Sequence, residues 1–439
     1  MLRLRTLSLL TLLALGPACQ TSAPEHGDPS TEDERGAVAI EAATDPADEP
    51  TEEPRVTPQP PANADQELCV AGVNTLAFAL WDVLELPTNA AISPTSISLA
   101  LSMVLAGADG ETADELAEAL GVEATDELHQ CWAATLARWE GLNDEGITLD
   151  IANRLFAEET LSVEDSYLEL TGSYYGAEAK SMNLRGDPEG SRETINTWVE
   201  EVTRDRIKDL LPEGSVHALT NLILVNALYL LADWADPFDK ALTADAPFHR
   251  ADGTTTTVSM MHRRNRYHYA AVDGARLVRI PYTGDELSMV IVLPDDRDGL
   301  PGVVDRLDAQ TLRSWVQRLN GTEVDLKIPR FTIDETSLRL TEAFRALGVE
   351  RLFTEDAELA GIIASEPTAI DAIIHKTFIK VDEEGTEAAA ATAIMAVGGA
   401  PPPQPIEFHA DHPFLFVLQD SATGAILFLG QVGDPKQTS

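Results

Sequence analysis

Two short stretches place residues capable of chemistry close together. "HADHPF" brings His409, Asp411 and His412 within four positions, a set that could ligate a metal. "MHRRNRYHY" gathers His262 and His268 around three arginines. Both have plainer readings, the first as a loop entering a strand and the second as a solvated hairpin. No GxSxG elbow, HExxH pair, Walker loop or helix-opening GxGxxG turn occurs. The chain therefore reads as no enzyme, with no metal site and no cofactor.

A third stretch is unusual for its small side chains. "VDEEGTEAAAATAIMAVGGAPPPQP" runs from Val381 to Pro405, with acids leading into a glycine, then alanines and threonines, then a broken proline run. Read alone, it is an alanine-rich helix followed by a proline linker.

The elements around these stretches belong to a large acidic protein. Its 439 residues hold 44% hydrophobic side chains, enough for a sizeable core. A net charge of −42 repels phosphates and excludes nucleic acid as a partner. Helical spacing appears in "LCVAGVNTLAFALWDVLEL", which Pro87 stops, in "TADELAEALG" and in "DELHQCWAATLARWEGL". "SRETINTWVEEVTRDRIKDLL" reads as one long amphipathic helix. "ITLDIANRLFAE" reads as a strand, and "TNLILVNALYLLADW" as a central strand covered on both faces. "RLVRIPY", "LSMVIVLP", "VDLKIPRFTI", "FIKVDEE", "FLFVLQD" and "AILFLGQV" follow as further strands. Helices crowd the first half and strands the second, which gives the α+β class in one domain over residues 67–439.

The N-terminus reads as an address. Residues 1–18 form a signal peptide, with Arg3 and Arg5 ahead of the apolar "LSLLTLLAL", too short to span a bilayer. "GPAC" resembles the site at which bacterial lipoproteins are cut and lipidated, here on Cys19, with simple secretion as the alternative. Residues 20–66 carry 12 acids, two bases, eight prolines and no aromatics. Such a segment cannot bury enough apolar surface to fold, and reads as an extended tether behind the lipidated cysteine. The expected location is outside the cell membrane, either in the envelope (on the outer membrane) or in the medium, with the lipid as the only membrane contact. Cys69 and Cys131 remain, as a disulfide or as two separate buried thiols.

Taken together, many segments resemble the serpins, in that family's order. They begin with "NAAISPTSISLAL", "IANRLFAE", "INTWVEEVT", "LVNALYLLADW" and "IPYTGDELSMVIVLP". "IPRFTI", "LGVERLF", "HKTFIKVDEEGTEAAAAT", "ADHPFLFVL" and "LFLGQVGDP" complete the set. The resemblance covers about Leu68 to Pro435. It implies the serpin fold, with three β-sheets, eight or nine helices and an exposed reactive-centre loop. It also implies a monomer that traps serine proteases, or less often cysteine proteases, as a suicide substrate. The protease cuts the loop, and the loop then inserts as a new strand of the main sheet with the enzyme attached. The alternative is a non-inhibitory member acting as a binding protein or chaperone.

The small side chains then have a physical reason. Every second residue of an inserting strand must enter a close-packed core. Alanine and threonine enter with little volume and little lost side-chain entropy. A strand of about 12 residues adds bonds at roughly 1 kcal/mol each, of order 10 kcal/mol in total. The native state would thus be kinetically trapped. The resemblance makes Glu383, Glu384, Gly385, Thr386, Glu387, Ala388, Ala389, Ala390, Ala391 and Thr392 the hinge. Gly385 is expected to give it freedom to bend, with Thr386, Ala388, Ala390 and Thr392 facing the core. Glu383 and Trp234 match the top of the main sheet, the breach. Ser93, Ser96, Asn226 and His375 match a buried polar cluster, the shutter. The family's spacing puts the scissile bond between Gly399 and Ala400, while Val397 or Met395 would better suit an elastase-like or subtilisin-like enzyme. "LLAD" before Trp234 departs from the family's pattern. His129 and Arg138 are the only cations in the helix that carries a basic face in heparin-activated members, so no heparin cofactor is expected.

Overall fold

The computed structural model describes residues 65–143, 146–334, 338–370, 373–386 and 404–435. All lie in one compact unit, Pro54–Ser439. Its helices are α1 (Glu67–Val83), α2 (Pro94–Leu105), α3 (Gly110–Leu120), α4 (Asp126–Glu140), α5 (Asp165–Tyr175), α6 (Pro188–Val202), α7 (Leu300–Val304), α8 (Ala309–Val316) and α9 (Thr341–Ala346). The first strands are β1 (Asn89–Ile92), β2 (Ile147–Glu158), β3 (Glu178–Met182), β4 (Leu222–Asp233), β5 (Ala244–His249), β6 (Thr255–Val272), β7 (Ala275–Pro281), β8 (Leu287–Pro294) and β9 (Asn320–Pro329). The remainder are β10 (Phe331–Asp334), β11 (Leu338–Arg339), β12 (Ile374–His375), β13 (Phe378–Val381), β14 (Gly385–Thr386), β15 (Ile406–His409), β16 (Phe414–Asp420) and β17 (Ile426–Val432).

Local chemistry sets several of these boundaries. Ser93 caps α2 by accepting from the Ser96 amide, with Pro94 in the first turn. Asp187 and Pro188 do the same for α6. Gly121 and Gly176 close α3 and α5 in the left-handed conformation. The apolar runs of β8 and β16 are buried along their whole length, as strands covered on both faces must be.

Among the described residues the strands form three sheets. A nine-stranded sheet runs β1-β17-β16-β8-β7-β6-β9-β15, with β5 beside β6. A six-stranded sheet runs β10-β13-β14-β4-β2-β3, and β11 pairs with β12. With helices packed around the sheets, the architecture is mixed α+β. One large core takes in most of the helices and both large sheets. A smaller one, including Phe156, Ile195, Val199, Leu211 and Val225, packs α6 and the segment after it against the six-stranded sheet.

Two sequence expectations need correction. The stretch 191–211 is not one helix. α6 ends at Val202, and Arg204 and Asp205 take positive φ (52° and 62°). The Thr203 hydroxyl bonds back to the Val199 carbonyl (2.7 Å) and accepts from the Ile207 amide (3.1 Å), which replaces the helical ladder with a turn. Nor is "MHRRNRYHY" a hairpin. It lies inside the 18-residue strand β6, with its charges answered by His262–Asp325, Arg263–Asp236 and Arg264–Glu323 pairs.

Candidate functional site: the hinge strand and its seam

The six-stranded sheet has a seam. Among the described residues, the edge of β4 that faces β13 is paired only at its last two residues, Ala232 and Asp233. Their partners are Thr386 and Gly385 of β14, and Thr386 also pairs with Val381 of β13. The two-residue strand β14 therefore lies antiparallel to both neighbours, wedged between them at one end of the seam.

Gly385 has a physical reason of its own in this conformation. Its φ is not positive, so no special freedom is used. A Cβ there would run into the Ala232 carbonyl and come within 2.8 Å of the Asp233 Cα. In this conformation glycine is required by close backbone approach. Thr386 is 3% exposed and its hydroxyl lies 2.7 Å from the Tyr282 hydroxyl. It sits opposite Ala232, and Ala232, Leu230 and Leu228 share one parity on β4 and are buried.

The turn feeding β14 is held on all sides. Trp234 donates its indole N–H to the Asp382 carbonyl (3.0 Å) and its amide to the Glu384 carbonyl (2.8 Å). The Phe238 amide donates to the Glu383 carbonyl (2.8 Å). The Trp234 ring stacks on Tyr282 at 4.5 Å. Glu383 is 1% exposed and forms a bidentate pair with Arg330, with Nε at 2.8 and 2.7 Å from the two carboxylate oxygens. Thr243 donates to it as well. Burial pushes the Glu383 carboxyl up, but the bonds from Arg330 and Thr243 outweigh that and hold it below the usual range. Lys240 pairs with Glu384, and Lys380 lies 3.1 Å from Asp382.

Further along the seam lies the polar cluster. His375 Nε2 accepts from the Ser93 amide (3.0 Å), and the Ser96 amide donates to the Ser93 hydroxyl (3.2 Å). The Ser96 hydroxyl donates to the Asn226 carbonyl oxygen, and the Asn226 amide to Asn153. Burial drives the His375 pKa down to about 4, so the ring is neutral and free to accept. Beside the cluster is a cavity of about 90 Å³ lined by Ile223, Leu224 and Asn226 of β4 and by Ile373, Ile374 and His375 across the seam.

The structure thus brings Ser93, Ser96, Asn226 and His375 into one cluster and Trp234, Glu383, Glu384, Gly385 and Thr386 into another. Glu387, Ala388, Ala389, Ala390, Ala391, Thr392, Met395, Val397, Gly399, Ala400 and Cys19 lie outside the described residues. Arg330, Thr243, Tyr282 and Asn153 were not legible as partners, because each comes from a strand or loop distant in sequence. Cys69 and Cys131 are joined by a disulfide between α1 and α4. His412 is tied to Asp411 (2.7 Å) and to the Pro294 carbonyl (2.9 Å). Among the described residues no group of three or more His, Cys, Asp or Glu is placed to hold a metal, and no helix is long and apolar enough to cross a membrane. In α4, Arg138 is paired with Asp420 and Glu286, and His129 is buried 2.6 Å from the Tyr175 hydroxyl.

A family model described as "Serpin (serine protease inhibitor)" matches residues 71–435. Leukocyte elastase inhibitor of Bos taurus is 39% identical over 357 residues, 79% of this chain and 93% of that protein. Serpin B3 of Homo sapiens is 35% identical over 367 residues, 79% and 94% of the two chains. Among solved structures, one titled "Cleaved Serpin 42Da" superposes with a TM-score of 0.76 at 31% identity, over 85% of this chain and 100% of that one.

Proposed function

The chain belongs to the serpin family, and on that premise we propose that it inhibits serine endopeptidases by covalent trapping. The observation that supports this reading best is β14, seated between β13 and β4 beside an edge of β4 that is otherwise unpaired among the described residues. Pairing that edge along its length would release about 1 kcal/mol per hydrogen bond gained. The alanines and threonines that follow Thr386 are small enough to enter the sheet without strain. With Gly399, Val397 or Met395 at the cut, the target is an elastase-like or subtilisin-like enzyme, and no arginine or lysine between Thr386 and Pro405 invites a trypsin-like one. The leader and tether read from residues 1–66 would put the inhibitor outside the cell membrane.

The test is to mix the protein with pancreatic elastase and with subtilisin and run denaturing gels. A detergent-stable complex with release of a C-terminal peptide is the expected result, and the peptide mass fixes the scissile bond. Quantitative loop cleavage by both enzymes with no complex and no rise in melting temperature would favour a non-inhibitory binding protein.

A further inference from the structure

At the mouth of the seam, one carboxyl group lacks the compensation that its neighbours have. Asp233 ends β4 and is the ladder partner of Gly385. Its backbone is fully engaged: the amide donates to the Gly146 carbonyl (2.8 Å), and the carbonyl accepts from the Thr283 hydroxyl (3.2 Å). Its side-chain Oδ1 is buried and has no hydrogen-bond partner. A buried, unanswered carboxylate oxygen is costly while charged.

The surrounding charges make that cost larger. From the turn before β14, Asp382 and Glu384 face Asp233, and both are negative. Glu384 has Lys240 and Asp382 has Lys380. Glu383 has Arg330, and Asp285 on the neighbouring turn has Arg279 (2.6 Å). Among the described residues, Asp233 alone of these carboxylates has no cation. The same carboxyl is raised above its ordinary range, first by burial and then by the charges of Glu384 and Asp382.

We propose that Asp233 is a positioning residue for the hinge, whose negative charge loosens the pairing of Gly385 with β4 and whose protonation tightens it. The proposal rests on reading β14 as the hinge from which insertion starts. The sign follows from linkage. With the hinge undocked, Asp233 ionises as an ordinary carboxyl; with it docked, the proton is held more tightly. Docking is therefore weakest at neutral pH and strengthens as pH falls through the raised value, levelling off once the undocked group is also protonated. Glu383 is held low and His375 loses its neutrality only near 4, so neither opposes the effect in that window.

Amide hydrogen exchange at Trp234 and Phe238 reads docking directly, because those amides donate to the carbonyls of Glu384 and Glu383. Protection factors, corrected for intrinsic exchange, are expected to rise as the pH is lowered from neutral through the raised Asp233 range and on into the ordinary carboxylate range. In Asp233→Asn they should be high and flat with pH. In Glu384→Gln the rise should persist with its midpoint moved down, since one repelling charge is gone; this variant leaves Asp233 intact and guards against a folding defect in the first. A flat wild-type profile, or an unchanged rise in Asp233→Asn, overturns the proposal. No protease is used, so failure to trap an enzyme would leave this result standing, and a trapping protein with a flat profile would sink only the role of Asp233.

Discussion

The Thr386 hydroxyl and the Tyr282 hydroxyl lie 2.7 Å apart in a site almost closed to water. Tyr282 stacks on Trp234, and the Trp234 indole holds the carbonyl of Asp382, in the turn that delivers Thr386. On the proposed insertion, the first side chain to enter the sheet is already bonded to the same aromatic pair that anchors its approach. An arginine at 386 would have to bury a guanidinium against Tyr282, at a cost of several kcal/mol. Thr386→Arg is expected to convert an inhibitor into a plain substrate, with the loop cut at the normal rate and complex yield on gels down at least about tenfold. Wild-type complex formation by this variant would remove Thr386 from the insertion path.

Glu383 and Arg330 give a stability prediction with a pH signature. The carboxylate is buried, but the Arg330 side chain is 45% exposed, so the pair is worth less than a fully buried one. Glu383→Gln should cost about 2 kcal/mol. Because the folded carboxyl is held low, its contribution is present above the unfolded range and is lost as pH falls through the folded value. Wild-type unfolding free energy should therefore drop in that acid window, and the variant's slope there should be shallower. Parallel curves would mean that the pair is not formed in solution.

Much of this frame is legible along the chain, and the reasons are local. "ITLDIANRLFAE" coincides with β2, and "TNLILVNALYLLADW" contains β4, the latter because a long run of branched apolar residues has few alternatives to a covered strand. "SRETINTWVEEVTRDRIKDLL" misled because its amphipathic pattern continues past Val202, while Thr203 and two left-handed residues break the backbone, a contest that periodicity does not see. In the site, parity put Thr386 on the buried face, but its bond to Tyr282 joins residues 104 apart. The close approach at Gly385 is not legible along the chain, because Ala232 and Asp233, which crowd it, are found only by pairing the strands.

The disulfide between Cys69 and Cys131 closes a loop with a sequence separation of 62 residues. A cross-link of that span is worth about 4 kcal/mol on chain-entropy grounds, with strain and residual structure reducing it. Replacing both cysteines by alanine should lower the urea midpoint markedly, and adding reductant to the wild type should bring it to the same level. A wild type indifferent to reductant would show that the thiols are not joined.

His375 should make the polar cluster acid-sensitive. The folded ring resists protonation until about pH 4, whereas in the unfolded chain it titrates near the ordinary histidine value of about 6.5. Between those values the unfolded state binds a proton that the folded state refuses, so stability falls as pH is lowered. The loss approaches about 3 kcal/mol at the acid end. His375→Gln should flatten that part of the unfolding free-energy profile. An NMR titration of the His375 ring with a midpoint near 6.5 would contradict the buried, accepting role described for it.

If the loop inserts as proposed, the register at Thr386 predicts where it would land. Thr386 faces Ala232 on β4 and Val381 on β13. Continued antiparallel without a bulge, each step forward on the loop is one step back on both neighbours, so Thr392 would meet Asn226 on one side and His375 on the other. Those are the seam-facing members of the polar cluster, beside the cavity of about 90 Å³. A threonine suits that place, because its methyl fills space while its hydroxyl can answer a network whose donors are otherwise left exposed when the strands part. Thr392→Arg should leave the bond between Thr386 and Tyr282 intact but halt insertion midway. The cut form would then melt near the uncut one, and a captured protease would escape by hydrolysis. Thr392→Val should insert fully with a modest loss, about 1 kcal/mol for the missing hydrogen bond. A cut Thr392→Arg form melting as high as the cut wild type would mean that position 392 does not reach the cluster, and that the register slips after Thr386.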